Sequence, residues 1–141
     1  MKVRLLLAKA AEVQSGLLYG LGIGWTHIGP DPSIFAIAAL VEVSWDETNR
    51  PHRLTIVVVD TDGHPLLIPT ATGDAPFQIE AVFNVGRPPD AQPGQSFTLP
   101  VAVNVPPLPF QQGRSYVIRA LVDGERADEA TVFMRAARPP A

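Results

Sequence analysis

Apolar residues in this chain occur in short runs, and clusters of Gly, Pro, Asp and Asn separate one run from the next. In residues 77–85, 97–105 and 116–122, apolar side chains occupy nearly every second position. A period of two is typical of a strand in an antiparallel sheet that has one buried and one solvated face. The pattern therefore predicts an all-β fold, an antiparallel sandwich of about seven to eight strands.

The predicted strands follow from these runs and from the turn residues between them. In chain order they are residues 3–8, 17–28, 35–45, 54–60, 77–85, 97–105, 116–122 and 130–135, with 65–68 as an extension of the fourth strand's hairpin. Residues 9–16 are predicted to form an irregular hook. A short helix is the alternative there, because apolar residues also recur at helical spacing and Leu, Ala, Lys and Glu favour helix. The residues that share this helical face are Val3, Leu6, Leu7, Ala10 and Val13.

Two turns contain residues that tolerate a positive φ, Asp60-Thr61-Asp62-Gly63 and Asp123-Gly124-Glu125. We expect a positive φ at the glycine of each turn. Pro100 interrupts a strand pattern, and because proline has no amide donor, it predicts an edge strand or a bulge there. Phe83 and Ile118 lie at the centres of alternating faces, so we expect both side chains to be buried.

Composition narrows the class of protein. The 141 residues suit a single domain, which we place at residues 1–135, with residues 136–141 as a frayed tail. The net charge is −3 and the basic residues are scattered, so the chain lacks the basic surface that a nucleic-acid partner requires. There is no cysteine, which fits a reducing compartment, and no apolar run approaches the roughly 20 residues that cross a bilayer. These features predict a cytoplasmic protein that binds neither a membrane nor a nucleic acid.

Residues 108–118 read Leu-Pro-Phe-Gln-Gln-Gly-Arg-Ser-Tyr-Val-Ile. A leucine, a turn glycine and a strand tyrosine in this order resemble the start of the penultimate strand in immunoglobulin-like and fibronectin-like domains. The resemblance implies an immunoglobulin-like β-sandwich and a tyrosine corner, in which the Tyr116 hydroxyl bonds a nearby backbone group. It implies nothing about function, because such folds carry many functions.

Short segments spread along the whole chain carry a second resemblance. They are Leu5-Leu6-Leu7-Ala8, Gly16-Leu17-Leu18-Tyr19, Gly22-Ile23-Gly24-Trp25, Val43-Ser44-Trp45-Asp46, Asn49-Arg50-Pro51-His52, Asp60-Thr61-Asp62-Gly63, Val85-Gly86-Arg87-Pro88-Pro89 and Leu121-Val122-Asp123-Gly124-Glu125. Together they resemble a family of small, uncharacterised bacterial proteins, a domain of unknown function. The resemblance implies no activity and carries over no functional residue.

The three histidines, His27, His52 and His64, are the first candidates for a metal site. Their spacings of 25 and 12 residues match no compact zinc motif, so each is interpreted as an independent surface residue. The Asp-Thr-Asp-Gly turn resembles the middle of an EF-hand loop. The first and twelfth ligand positions of such a loop would be Val58 and Pro69, whose side chains cannot bind calcium. We therefore expect no metal and no cofactor.

Motifs for catalysis are equally weak. Gly20, Gly22 and Gly24 superficially suggest a phosphate loop, but the dinucleotide fingerprint needs its third glycine at Trp25 and a helix after it. The glycines are better interpreted as permitting a bend in a strand. No serine lies in a Gly-x-Ser-x-Gly frame, so the sequence predicts no catalytic residue.

Two tryptophans fall near predicted strand ends beside polar residues. Trp25, His27, Trp45 and Asp46 are therefore the candidate binding residues, since a tryptophan in such a position can anchor a ligand or a partner. The alternative is that each tryptophan closes an open end of the sandwich core.

The leading functional hypothesis is a non-enzymatic structural or protein-interaction module that self-associates as a homodimer. Val57 and Val59 point away from the core face of their strand, and Leu40 does so in the preceding strand. If these strands are neighbours, the three residues form an apolar patch of the kind that marks interfaces. The alternative is that loops from the Pro-rich segments cover this face within one chain. The alternatives are a small-ligand-binding sandwich with its pocket at the tryptophans, and an unrecognised hydrolase.

Overall fold

Strands account for nearly all the regular structure of the chain, which a computed structural model describes over residues 1–138. The strands are β1 (Lys2–Ala8), β2 (Ala10–Gln14), β3 (Leu17–Leu21), β4 (His27–Ile28), β5 (Phe35–Val43), β6 (His52–Asp60), β7 (Leu67–Thr70), β8 (Gly73–Pro76), β9 (Gln78–Phe83), β10 (Phe97–Val105), β11 (Ser115–Val122) and β12 (Glu125–Met134). A 3-10 turn, Trp45–Glu47, follows β5. The predicted all-β class is confirmed, but the predicted count of strands is wrong, because the described residues contain twelve.

The strands form two larger sheets and two hairpins. The three-stranded sheet has the order β1-β5-β10, and the five-stranded sheet has the order β4-β12-β11-β6-β9. All pairs in them are antiparallel except β12 with β4. The hairpins are β2–β3 and β7–β8. Within residues 1–138, strand β10 pairs with β5 alone, so the edge position predicted from Pro100 is confirmed.

The inner faces of the two larger sheets share one hydrophobic core. Ile118 of β11 is fully buried there, as predicted. Phe83 packs against the same core but is only half-buried, so the prediction of a buried ring is wrong in degree. The face is the predicted one, but β9 is the edge strand of its sheet and leaves one side of the ring open to solvent.

Residues 17–28 do not form the single strand that the apolar run predicts. Strand β3 ends at Leu21, and β4 begins only at His27. Gly22 and Gly24 lie between them with positive φ values of 62° and 95°, a region closed to extended strands. The alternating glycines thus end a strand instead of bending one.

Residues 9–16 form neither the predicted hook nor the alternative helix. They contain β2 and a two-residue turn, Ser15-Gly16, whose φ values of 50° and 74° are those of the hairpin turn that joins tightly twisted strands. The resulting β2–β3 hairpin lies against the outer face of the three-stranded sheet. Its Ala11 forms a small buried cluster with Ala8, Ala36 and Ala38.

The predicted turn geometry is confirmed, since Gly63 and Gly124 both have a φ of 84°. The hydroxyl of Tyr116 accepts a hydrogen bond from the Gln111 N–H at 2.8 Å, and its ring is buried. This is the contact expected of a tyrosine corner.

The predicted frayed tail, residues 136–141, lies partly within the described residues. Residues 139–141 of the predicted frayed tail lie outside the described residues, whereas the Ala137 N–H donates to Gln112 Oε1 at 3.2 Å. Within residues 1–138, no helix has the length and apolar character needed to span a membrane.

Candidate functional site

The four predicted binding residues lie at two different ends of β5. The ring of Trp25 meets Phe35, the first residue of the strand, with ring centroids 5.6 Å apart. Trp45 lies two residues beyond the end of the strand and stacks on Phe97, with ring centroids 6.5 Å apart. Nine residues of strand span about 26 Å, so the structure does not bring the two tryptophans into one pocket.

At the Trp45 end, the aromatic face is occupied by the chain itself. The guanidinium carbon of Arg87 lies 3.7 Å from the centroid of the Trp45 ring. Arg87 also donates to the Trp45 carbonyl at 2.7 Å and to the Thr48 hydroxyl at 2.6 Å. Cation–π contact and two hydrogen bonds fasten the long loop before β10 to this end of the core. Asp46 is exposed in the 3-10 turn.

At the Trp25 end, the structure has a surface cleft. Its volume is about 500 Å³ and its walls include Trp25, Ile34, Lys9 and Arg135. The indole Nε1 of Trp25 is buried and has no hydrogen-bond acceptor among the described residues. Within residues 1–138, neither Lys9 nor Arg135 forms an ion pair. His27 lies on the rim and hydrogen-bonds the Thr26 hydroxyl at 2.9 Å.

His52 is not the independent surface residue that its spacing predicts. Its side chain is buried at the start of β6, where Nδ1 lies 2.7 Å from Asp123 Oδ2 and Nε2 lies 2.7 Å from the Glu47 carbonyl. Asp123 Oδ1 also accepts the Arg53 N–H at 2.9 Å. The histidine therefore ties the 3-10 turn after β5 to the β11–β12 turn.

The charge state of this junction follows from its partners. Burial lowers the pKa of His52, but the hydrogen bonds to Asp123 and to the Glu47 carbonyl outweigh burial and raise the pKa above its ordinary value. The His52 hydrogen bond and the Arg53 N–H lower the pKa of Asp123. Both neighbours of the ring are acceptors, so a doubly protonated ring satisfies both.

The hydrogen bonds of the two His52 ring nitrogens also concern the hydrolase hypothesis, which needs a histidine that can act as a base. A general base needs one ring nitrogen that faces a nucleophile. Both nitrogens of His52 already bond within the fold, and the Ser44 hydroxyl donates to Glu47 Oε1 at 2.7 Å. The contacts of His52 are those of a structural junction.

The β6–β7 turn gathers residues that sequence reasoning kept apart. One ligand atom from each of Asp60, Asp62 and His64 lies within 4.8 Å of the others. Asp60 Oδ1 accepts the N–H groups of His64 and Asp62, both at 2.9 Å, and these bonds lower the pKa of Asp60. The bonds account for the clustering as turn geometry, since an aspartate commonly caps its own turn in this way.

The three residues expected to form a self-association patch are not neighbours. Leu40 lies on β5 in the three-stranded sheet, whereas Val57 and Val59 lie on β6 in the five-stranded sheet. Their outward side chains therefore point to opposite surfaces of the molecule. Val59 is in addition buried within the chain, beside the bridge it makes with Pro65.

Strand β3 carries the apolar surface that sequence reasoning missed. The side chains of Leu17, Tyr19 and Leu21 point outward and are 58%, 51% and 73% exposed; we call these three residues the β3 strip. Leu18 points inward and packs on the alanine cluster beneath the hairpin. Leu17, Tyr19 and Leu21 alternate with other residues directly after Ser15-Gly16, a pattern that indicates a hairpin with one exposed apolar face. The prediction of one strand over residues 17–28 did not use this pattern.

The edge of β3 is unprotected. Within the described residues, β3 pairs with β2 alone, and it contains neither a charge nor a proline. Such residues usually prevent exposed edge strands from pairing with other chains. The far edge of β2, in contrast, is capped at Ala11 by the Asn104 side chain, which donates to the Ala11 carbonyl at 3.0 Å and accepts the Ala11 N–H at 3.3 Å.

Comparison with known proteins gives one family. Residues 4–134 match the family model of DUF6941, which is described as a family of unknown function. The match covers nearly the whole chain, so the protein belongs to this family, and the expected membership of an uncharacterised family is confirmed. No curated protein and no solved structure matches the chain.

Proposed function

We propose that this protein, which belongs to a family of unknown function, is a non-enzymatic interaction module that binds protein through the β3 strip. The observation that carries the proposal is the exposure of Leu17, Tyr19 and Leu21 on one face of a strand with an open edge. Single exposed apolar residues are ordinary, but contiguous apolar surface commonly marks an interaction site.

The arrangement suits recognition by strand addition. Successive residues of the β3 strip are about 7 Å apart, so a partner strand meets them as one row. A mainly apolar groove of about 460 Å³ lies on the β2 side of the row, and its lining is Ala10, Ala11, Glu12, Tyr19, Gly20, Leu21 and Asn104. In this mode of binding, the main chain supplies hydrogen bonds and alternate side chains supply specificity.

We further propose that the scaffold is an immunoglobulin-like sandwich in a bacterial cytoplasmic protein. Two features support the fold, the core shared by two sheets and the hydrogen bond from Gln111 to the Tyr116 hydroxyl. The absence of cysteine is in keeping with a reducing compartment.

The test is affinity capture from the native lysate with matched variants. Leu21→Lys places a charge in the β3 strip, and Val82→Lys places one on β9, where the side chain is 67% exposed. We expect partners that bind the wild type and Val82→Lys but not Leu21→Lys. Identical capture by all three proteins, each with an unchanged β-type circular dichroism spectrum, would contradict the proposal.

A second candidate function is binding of a small carboxylate at the Trp25 cleft. The observation that favours it is the combination of an unpartnered indole N–H with Lys9 and Arg135, which form no ion pair within the described residues. A panel of aliphatic and aromatic carboxylates should change the tryptophan fluorescence of the wild type and of Trp45→Phe. The change should be absent in Trp25→Phe, and an equal response of the two variants would exclude the cleft.

A further inference from the structure

We infer that the partner of the β3 strip is a second copy of this chain, and that the two β2–β3 hairpins join edge to edge into one four-stranded antiparallel sheet. The inference rests on the proposed function, because it assigns a partner to the same surface. The inference requires more than the proposed function does, because self-pairing must occur in the purified protein without any other component.

The hydrogen bonds of the hairpin show which backbone groups are available. Both the N–H and the C=O of Ala11 bond to Asn104, so they point away from β3. Gly20 is the register partner of Ala11. In an antiparallel ladder, paired residues either exchange both hydrogen bonds or exchange none. The N–H and C=O of Gly20, and by alternation those of Leu18, therefore face the open edge of β3.

These two residues define a register for a twofold pair. An antiparallel copy centred on Tyr19 places Leu18 opposite Gly20 of the partner subunit, and Gly20 opposite Leu18 of the partner subunit. Each of these two pairs can exchange both of its hydrogen bonds, which gives four across the seam. A register centred on Leu18 would instead place Gly20 opposite Gly16 of the partner subunit, which lies in the turn. The centre at Tyr19 alone uses the full length of β3.

The side chains are symmetric about the same centre. With Tyr19 on the twofold axis, Leu17 lies opposite Leu21 of the partner subunit, and the two tyrosines are neighbours. The six outward side chains then form one apolar row across the seam. A self-complementary surface of this kind is what an isologous dimer requires, and twofold dimers are the commonest oligomers.

Charge does not oppose the pairing. Strand β3 is uncharged, and the one carboxylate of the β2–β3 hairpin is Glu12, the register partner of Tyr19 on β2. In the paired sheet, the two Glu12 residues would lie three strand spacings apart, about 14 Å. This separation exceeds the screening length of about 8 Å at physiological ionic strength, so their repulsion is weak.

The area sets the strength of the dimer. The three side chains are on average about three fifths exposed, roughly 300 Å² on each copy. Edge-to-edge pairing covers only the flanks that face the seam, because the outward faces of the side chains stay in solvent, so this area is an upper bound on what each copy buries. Stable interfaces bury about 800 Å² from each partner, and smaller ones belong to transient complexes. We therefore expect a reversible dimer whose population rises with concentration.

Disulfide trapping tests the register, because the wild-type chain contains no cysteine. Tyr19→Cys should form a disulfide-linked dimer under mild oxidation, since residue 19 faces itself across the axis. Leu17→Cys and Leu21→Cys should each form no disulfide-linked dimer alone and should link when mixed. Two copies of residue 17 would be offset by about 13 Å, beyond the reach of a disulfide, whereas residues 17 and 21 are directly opposite. Val82→Cys on β9 is the matched exposed control and should not link.

The outcomes separate this inference from the proposed function. Sedimentation should show a concentration-dependent dimer for the wild type and its loss in Tyr19→Lys. A wild type that stays at the monomer mass of 15.1 kDa, with no linkage of Tyr19→Cys or of the mixture, overturns self-pairing. Capture of another protein that depends on Leu21 would then leave the proposed function in place. Linkage of Leu17→Cys with itself, or equal linkage of Val82→Cys, also overturns the inferred pairing.

Discussion

The β2–β3 and β11–β12 hairpins turn through the same backbone geometry but have opposite surroundings. Ser15 and Gly16 have φ values of 50° and 74°, and Asp123 and Gly124 have φ values of 51° and 84°. The β11–β12 hairpin lies inside the five-stranded sheet, and its turn bonds to the buried His52. The β2–β3 hairpin is a separate sheet of two strands that leaves three large apolar side chains exposed.

The two hairpins show that the backbone geometry of the turn determines how two strands are joined. The strands and side chains packed around a hairpin determine how stable it is. An isolated two-stranded hairpin is marginally stable in water, so β2–β3 depends on its packing over Ala36 and Ala38 and on its bonds to Asn104. The β11–β12 hairpin has a core face and two flanking strands. Variants matched between the two hairpins measure this contrast.

The largest expected effect is in the buried hairpin. Ile118→Ala removes a fully buried side chain from β11 and should lower the free energy of unfolding by about 2–5 kcal/mol. Leu18→Ala in β3 removes a half-buried side chain and should cost clearly less. Denaturant titration with an unchanged slope measures both values. If Leu18→Ala lowers the free energy of unfolding as much as Ile118→Ala does, the two hairpins do not differ in stability as proposed.

Alanine substitutions at the first turn residue of each hairpin, Asp123 and Ser15, should differ in their effect on the free energy of unfolding, because only Asp123 bonds to His52. Asp123→Ala leaves Nδ1 of the buried His52 without its acceptor, which should cost about 1–3 kcal/mol beyond any backbone strain. Ser15→Ala is the matched control, because it introduces alanine at the same left-handed turn position. No side-chain hydrogen bond of Ser15 occurs in the described part of the chain. Equal losses in thermal or chemical unfolding would mean that the junction contributes nothing.

The pH dependence of stability should come from the same junction. The raised pKa of His52 adds stability that is complete below the unfolded-state pKa, about 6.5, and is lost as pH rises through the folded-state pKa. The lowered pKa of Asp123 adds stability above its unfolded-state pKa, about 3.9, which is lost as pH falls through the folded-state pKa.

Stability should therefore be greater near pH 6 than near pH 8, by an increment that His52→Gln removes. Urea midpoints of the two proteins at both values measure the increment. The β2–β3 hairpin contains no histidine, so Leu18→Ala should retain the full difference between the two pH values. A His52→Gln protein with the wild-type pH profile would refute the assignment.

The smallest expected effect on stability is in the β3 strip. Leu17→Ser changes a side chain that is 58% exposed and should alter the free energy of unfolding by less than about 0.5 kcal/mol at low protein concentration. At high concentration, self-pairing should stabilise the wild type more than the variant, because association favours the folded chain. Melting temperatures across a dilution series measure this difference, and parallel curves would argue against pairing.

The local part of the fold was predictable from the sequence. Alternation located residues 97–105 without error, and the Asp-Gly pair located the β11–β12 turn. Ser15-Gly16 makes the same turn with a weaker residue at its first position, and the Ala and Glu around it favour helix. The hairpin was therefore missed where turn chemistry and propensity disagreed.

The candidate sites depend on pairings that no local pattern contains. His52 and Asp123 are 71 residues apart and meet only because β11 pairs with β6. Leu40 and Val57 belong to consecutive long strands, yet those strands lie in different sheets. The sequence predicted the strand that separates the two tryptophans, but the role of Trp45 depends on Arg87, which belongs to a distant loop.

The side-chain amide of Asn104 has a consequence for stoichiometry. At Ala11 it takes the place of the peptide group of a neighbouring strand, so another strand cannot pair with β2 at this residue and addition to the small sheet is directed to β3. Open-ended polymerisation of edge strands requires two free margins for each chain, as in cross-β fibrils. If the hairpins pair as inferred, a small sheet that can add a strand only at β3 stops at a pair, and the amide that steadies the hairpin then also disfavours growth of this sheet into a fibre.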